Sequence, residues 1–282
     1  MDGFDDQRLA ELIRAGIAAL GDYHDDLVLI GGLAPFCYRW LPGYEDMGLS
    51  PCGTMDVDLA VESRVAVRGG TTMRQHLEAN GFTTHEGPGF DRHPGKQTFS
   101  IGPARAGRRG ERYIEFIAPL RGRGEDGAPA RPQRDLIAER VRFIDLLRAR
   151  PCPCNVPGVG RILLPHPACY VVQKARIRPY RQHGGKHIKD QADLFLVLWA
   201  FSSVWQEWCG VLADLGSENQ TWGKWIGDAL EDLRKLYLDA EQIGPTDVLR
   251  GFSGTESAGL DADAIVRIMR QALRAITPGG SI

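Results

Sequence analysis

Two aspartates one residue apart, Asp56 and Asp58, and a third acid inside an apolar run, Glu115, are the residues whose types and spacing suit chemistry. In Thr54-Met55-Asp56-Val57-Asp58-Leu59-Ala60-Val61 polar and apolar residues alternate. A strand there puts Asp56 and Asp58 on one face and Val57, Leu59 and Val61 on the other. Like charges side by side repel unless a cation lies between them. Mg²⁺ suits such a pair, because it is a hard ion that takes carboxylate oxygens and keeps phosphates and waters as its other ligands. Glu115, within Tyr113-Ile114-Glu115-Phe116-Ile117, costs several kcal/mol if buried without a partner, and a metal on an adjacent strand would supply one. Upstream, the apolar run Leu27 to Ile30 closes on Gly31 and Gly32, which reads as a strand ending in a turn where backbone passes close to something.

The elements around these residues follow from periodicity. Phe4 to Leu20 carries Leu9, Leu12, Ile13, Ile17 and Leu20 at helical spacing, an apolar stripe that packs on a sheet. Ala34 to Trp40 suits a short helix, and Thr71 to Asn80 a longer one with Gly81 just past its end. Lys96 to Ile101 and Arg112 to Ala118 read as strands paired in a hairpin across Gly102 to Gly110. The proline- and glycine-rich stretch Arg150 to Gly160 is the candidate boundary, dividing an α/β unit over 1–155 from a mainly helical one over 156–282. In the latter, Pro165 to Arg178, His187 to about Leu215, Trp222 to Ala240 and Ala262 to Ile276 read as helices of a bundle.

With 282 residues, 43% hydrophobic and 25% charged, the chain has the make-up of an ordinary soluble globular protein of two units. No run of about eighteen apolar residues occurs, and MDGFDDQRLAELIRAG is acidic and amphipathic rather than signal-like, so the expectation is a cytoplasmic protein without a membrane contact. Six unevenly spaced cysteines read as reduced thiols. The net charge of −2 conceals an asymmetry: segments 1–103, 104–189 and 190–282 carry −7, +12 and −7. The middle segment either docks a polyanion or pairs with its acidic flanks.

Strand, Gly-Gly, short helix, Asp-x-Asp on the next strand and a third acid on a later strand resemble the nucleotidyltransferase superfamily related to DNA polymerase β. Gln173-Lys174-Ala175-Arg176 followed by Lys189-Asp190-Gln191-Ala192-Asp193-Leu194 is similar to its AbiEii toxin branch. One departure is the 23 residues between Gly32 and Asp56, more than is usual in that branch, with Trp40 to Cys52 as the extra loop. The resemblance implies a mixed central sheet flanked by helices plus a C-terminal helical bundle. It also implies transfer of a nucleoside monophosphate from an NTP to an acceptor hydroxyl with two Mg²⁺ ions. On that reading Asp56 and Asp58 hold both ions and Glu115 holds the acceptor-side ion and takes the acceptor's proton. The backbone of Gly31 and Gly32 cradles the triphosphate, Lys174 and Lys189 neutralise its outer phosphates, and Asp190 and Asp193 orient those cations or meet the acceptor. tRNA or another RNA is the implied acceptor and an antitoxin protein the implied partner.

Two other functions fit the same residues: a nucleotidyltransferase acting on a small molecule such as an antibiotic, and a catalytically silent protein that binds nucleotide or a partner. All three acids disfavour the silent form. A sugar-nucleotide glycosyltransferase is disfavoured because its Asp-x-Asp asks for neither the Gly-Gly turn nor the later glutamate. Cys152 and Cys154 are too tightly spaced for a common zinc motif, Gly184 and Gly185 break a helix through His183 and His187, and the tryptophans between Trp199 and Trp225 suit a bundle core.

Overall fold

The structure, a computed structural model, describes residues 7–54, 56–87, 96–101, 112–122, 128–181, 185–253 and 259–279. The chain gathers into two compact units, Met1–Leu33 with Thr54–Pro165 and Ala34–Gly53 with His166–Ile282.

The first unit is a mixed sheet covered by helices. In order come α1 (Gln7–Ala19), β1 (Val28–Leu29), α2 (Leu33–Cys37, of which only Leu33 lies in this unit) and β2 (Asp56–Ala60). Then follow α3 (Met73–Ala79), β3 (Phe82–Gly87), β4 (Lys96–Ile101), β5 (Tyr113–Pro119), β6 (Ala130–Gln133), β7 (Leu136–Val141), α4 (Ile144–Ala149), β8 (Pro151–Val156) and β9 (Gly160–Pro165). The sheet runs β1-β2-β5-β4-β3, with β7 on the C-terminal half of β5 and β6 on β7. The pairs β2/β5 and β5/β7 are parallel and the others antiparallel. Parallel neighbours cannot be joined by a tight turn, so the chain between β2 and β5 is long enough to carry α3 and the β3–β4 pair.

β5 lies at the centre, which accounts for its nearly continuous apolar sequence: Ile114, Phe116, Ile117 and Ala118 are all buried. The apolar stripe of α1 packs there, with Leu9, Leu12 and Ile13 buried and Ile17 only half-buried. Gly16 permits that approach, since a Cβ on it would stand 2.4 Å from Ile114 Cδ1. The strands expected at 96–101 and 112–118 do pair antiparallel, Thr98 opposite Glu115. Most of their connection, Gly102 to Gly110, lies outside the described residues.

The stretch Arg150 to Gly160, the candidate boundary, lies inside the first unit, which runs on to Pro165. It forms β8 and the turn into β9, antiparallel from Pro151 opposite Pro165 to Val156 opposite Gly160. Prolines 151 and 153 are two apart, so both fall at the same class of position in an antiparallel ladder and neither needs to donate a hydrogen bond. Cys154 and Val156 face inward while both prolines are exposed.

The second unit is helical: α5 (Pro167–Ile177), α6 (Lys186–Ala200), α7 (Trp205–Glu218), α8 (Gln220–Leu236), α9 (Ile243–Gly251) and α10 (Ala262–Ile276). The long helix expected from His187 is two, bent by 64° at residues 201–204. Ser202 and Ser203 are weak helix formers, and Trp205 Nε1 donates to Leu198 O at 2.8 Å, satisfying a carbonyl freed by the break. The stretch read as an extra loop belongs with these helices. Tyr38 meets Tyr170 and Phe201 edge-on at 5.8 Å each, and Glu45 N donates to Ala200 O at 2.7 Å. Trp208 is buried against Phe201, whereas Trp199, Trp205, Trp222 and Trp225 are half-buried at the bundle surface. All six cysteines are free thiols. Among the described residues no single helix is long and apolar enough to cross a membrane.

Candidate active site

The alternation read in the sequence is the alternation of β2. Val57 and Leu59 point into the core at 1% exposure each, and Asp56 and Asp58 share the opposite face, half-buried. Parallel pairing then decides the third member, because the register sets Asp58 beside Glu115. One carboxylate oxygen from each of Asp56, Asp58 and Glu115 lies within 4.8 Å of the other two. Two unit charges at that separation repel by about 3 to 4 kcal/mol at an effective dielectric constant of about 20. Three hard oxygen donors from one strand pair fit a divalent ion such as Mg²⁺ or Mn²⁺.

Gly31 adjoins this cluster. Its φ is +67°, and a Cβ built on it would fall 1.9 Å from Asp58 Oδ2. Only the lack of a side chain lets the turn pass this carboxylate. The turn is tied to β2 through Ile30 N, which donates to Asp58 O at 2.9 Å. Gly32 follows, half-buried. Thr54, two residues before Asp56, donates its hydroxyl to Asp56 Oδ1. Sequence reasoning missed this contact, although the i, i+2 spacing that puts two aspartates on one face also puts Thr54 there.

Lys174, Lys189, Asp190 and Asp193 gather in the helical unit, where each has a protein partner. Lys174 on α5 is 4% exposed and its Nζ is ion-paired with Asp190 Oδ1 on α6. Arg181 Nη1 reaches Asp190 Oδ2 at 3.1 Å. Burial opposes the Asp190 charge, but Lys174 and Arg181 together hold its carboxyl below the usual range. Lys189 Nζ donates to Gly53 O at 2.9 Å, and Asp193 Oδ1 accepts from Cys52 N at 2.8 Å. Two side chains one helical turn apart on α6 thus hold the end of the 34–53 segment. A pattern of i, i+4 charges could not name that partner.

Asp193 is fully buried, and its Oδ2 makes no hydrogen bond among the described residues. Burial pushes its carboxyl up to about 6, against the attraction of Lys189 and Lys174 and the amide of Cys52, and with the repulsion of Asp190. A folded-state pKa above the ordinary value means the folded protein binds the extra proton. That stability is present below about pH 4 and is lost as pH rises through 6. His166, which caps α5 by accepting from Ala168 N at 3.2 Å, acts in the opposite sense. Burial lowers it to about 4, so its contribution is lost as pH falls from about 6.5 towards 4. Asp193→Asn keeps the acceptor for Cys52 and isolates the first effect. Denaturant titrations at pH 5 and pH 8 are expected to show the stability of wild type relative to this variant falling by about 1.4 kcal/mol between them. A difference independent of pH would mean that Asp193 is ionised throughout.

Several arginines of the basic middle segment pair with acids, most of them in its flanks. Arg148 pairs with Glu62, Arg121 with Glu62 and Asp145, and Arg161 with Asp25. In the helical unit Arg176 pairs with Asp228 and Asp232, and Arg178 with Asp247. Of the two readings of the +12 segment, internal pairing accounts for these arginines. His183 lies outside the described residues, and burial pushes the Cys152 and Cys154 thiols up to about 11, away from the thiolate that binds metal.

Against known proteins, no curated sequence matches. A solved structure, an antigenic nucleotidyltransferase-like protein from Paracoccidioides brasiliensis, matches with 15% identity over 79% of this chain and 93% of that one, at a TM-score of 0.40. The family described as nucleotidyltransferase matches residues 7–207. That span takes in β1, the glycine turn, all three clustered acids and α5 and α6, and on it the chain belongs to the nucleotidyltransferase family.

Proposed function

We propose that the chain transfers a nucleoside monophosphate from an NTP to an acceptor hydroxyl in a reaction dependent on Mg²⁺. The observation carrying this reading is the convergence of Asp56, Asp58 and Glu115 within 4.8 Å beside a glycine turn that passes against Asp58. When bound, the divalent ions neutralise charge on the triphosphate and make the acceptor hydroxyl more acidic. Asp56 and Asp58 hold the metal from one strand. Glu115 completes the set and takes the acceptor's proton as its oxygen attacks the α-phosphorus. A bond forms from acceptor oxygen to α-phosphorus, the bond from α-phosphorus to the bridging oxygen breaks, and pyrophosphate leaves. The backbone amides at Gly31 and Gly32 donate to phosphate oxygens, which a side chain at Gly31 would obstruct. Lys174, ion-paired with Asp190, and Lys189, donating to Gly53 O, also hold the helical unit together.

The AbiEii resemblance makes RNA, tRNA in particular, the first acceptor, with an antitoxin protein as partner. The pairing of Arg121, Arg148, Arg176 and Arg178 with acids favours a second reading, a small-molecule acceptor. Incubation with Mg²⁺ and each radiolabelled NTP in turn, with and without total tRNA or an aminoglycoside, separates them. Label in tRNA supports the first acceptor and label only on the small molecule the second. Nucleotide binding without transfer to any acceptor would mark a silent member of the family.

A further inference from the structure

The donor that holds Asp56 in place lies outside the acidic cluster. Asp56 is the first residue of β2 and is half-buried, so core packing does not fix its side chain. Repulsion from Asp58 and Glu115 drives it away from the orientation a shared cation needs. Thr54 is the described residue whose hydroxyl opposes that drift, by donating to Asp56 Oδ1. A hydrogen bond to a charged acceptor is about twice as strong as a neutral one, and a β-branched side chain is stiff about χ1, so the donor is itself well held. A hydroxyl has one proton to give. Donated to Oδ1, it leaves Oδ2 outside this bond.

We propose that Thr54 is a positioning residue for metal binding: its hydroxyl holds Asp56 in the rotamer that joins Asp58 and Glu115. This rests on the metal-dependent reading given above. Thr54→Val keeps the branched shape and removes the donor, whereas Thr54→Ser keeps the donor and removes a methyl. The readout is Mn²⁺ affinity of the purified protein, measured by electron paramagnetic resonance of free Mn²⁺ without any NTP, with circular dichroism to confirm that each variant is folded. Loss of a partner that orients a ligand typically costs 10- to 100-fold in metal affinity. Thr54→Val is therefore expected to weaken Mn²⁺ binding by about 10-fold or more, with Thr54→Ser close to wild type. A purely structural role would lower thermal stability in both variants and leave Mn²⁺ affinity unchanged. Wild type that binds Mn²⁺ together with a Thr54→Val variant that binds it equally well overturns this inference alone. Wild type that binds no Mn²⁺ overturns the metal-dependent reading and this inference with it.

Discussion

Asp58→Asn is expected to lower nucleotidyl transfer by at least about 10³-fold in a protein that melts no lower than wild type. Asp58 lies at the meeting point of the site, in register with Glu115 and against the Gly31 turn. Asparagine preserves shape and packing but removes one of three negative charges. Losing a group that stabilises transition-state charge typically costs about 10²- to 10³-fold, and losing a metal ligand removes orientation of the substrate as well. The same substitution relieves repulsion of about 3 to 4 kcal/mol per carboxylate pair, so thermal stability does not fall with activity. Transfer of radiolabel from NTP and a melting curve on the same preparation check both halves. Transfer retained at wild-type rate would remove the carboxylates from the mechanism. Lost activity with a collapsed melting transition would assign Asp58 to folding instead.

Gly31→Ala is the second large effect, and it acts through geometry alone. The residue has φ +67°, where an L side chain costs roughly 1–2 kcal/mol. Its Cβ would also stand 1.9 Å from Asp58 Oδ2, 2.8 Å from Cγ and 3.2 Å from Cβ. The carboxylate is the softest of these neighbours and must move by about an ångström or more, a displacement that costs roughly 100-fold in rate at a reacting centre. Gly81 supplies the control: its φ is +84° and a Cβ there meets nothing within 4 Å. Gly81→Ala should lower stability by a similar roughly 1 kcal/mol and leave transfer intact. Gly31→Ala should lose about 100-fold in kcat as well as that stability. Equal activity in the two variants would show that the turn needs only its backbone angle and not the space beside Asp58.

What could be read without coordinates was whatever repeats over a few residues. The polar and apolar alternation from Thr54 to Val61 is a local signal, and it correctly set Asp56 and Asp58 on one face of β2 with Val57 and Leu59 in the core. Glu115 stood out because an acid in an apolar strand contradicts its surroundings, and an uncompensated buried charge is too costly to be incidental. The stripe of α1 and the helices of the second unit were legible for the same reason, since side-chain period follows directly from backbone geometry. Length alone did not distinguish one long helix from α6 and α7, because an apolar pattern runs through the bend that Trp205 stabilises.

Tertiary structure decided everything that depends on which distant segments meet. Asp58 stands beside Glu115 because β2 and β5 pair in parallel in one register, and a slip of a single residue would turn Glu115 to the other face. Lys174 carries the residue type of a phosphate ligand, yet packing of α5 on α6 commits it to Asp190. Pro151 and Pro153 suggested a boundary between units, yet their spacing of two lets both sit in one antiparallel strand. In each case the chain's local preference left several partners open, and the choice fell to long-range burial and charge pairing, whose energies exist only once the segments are together.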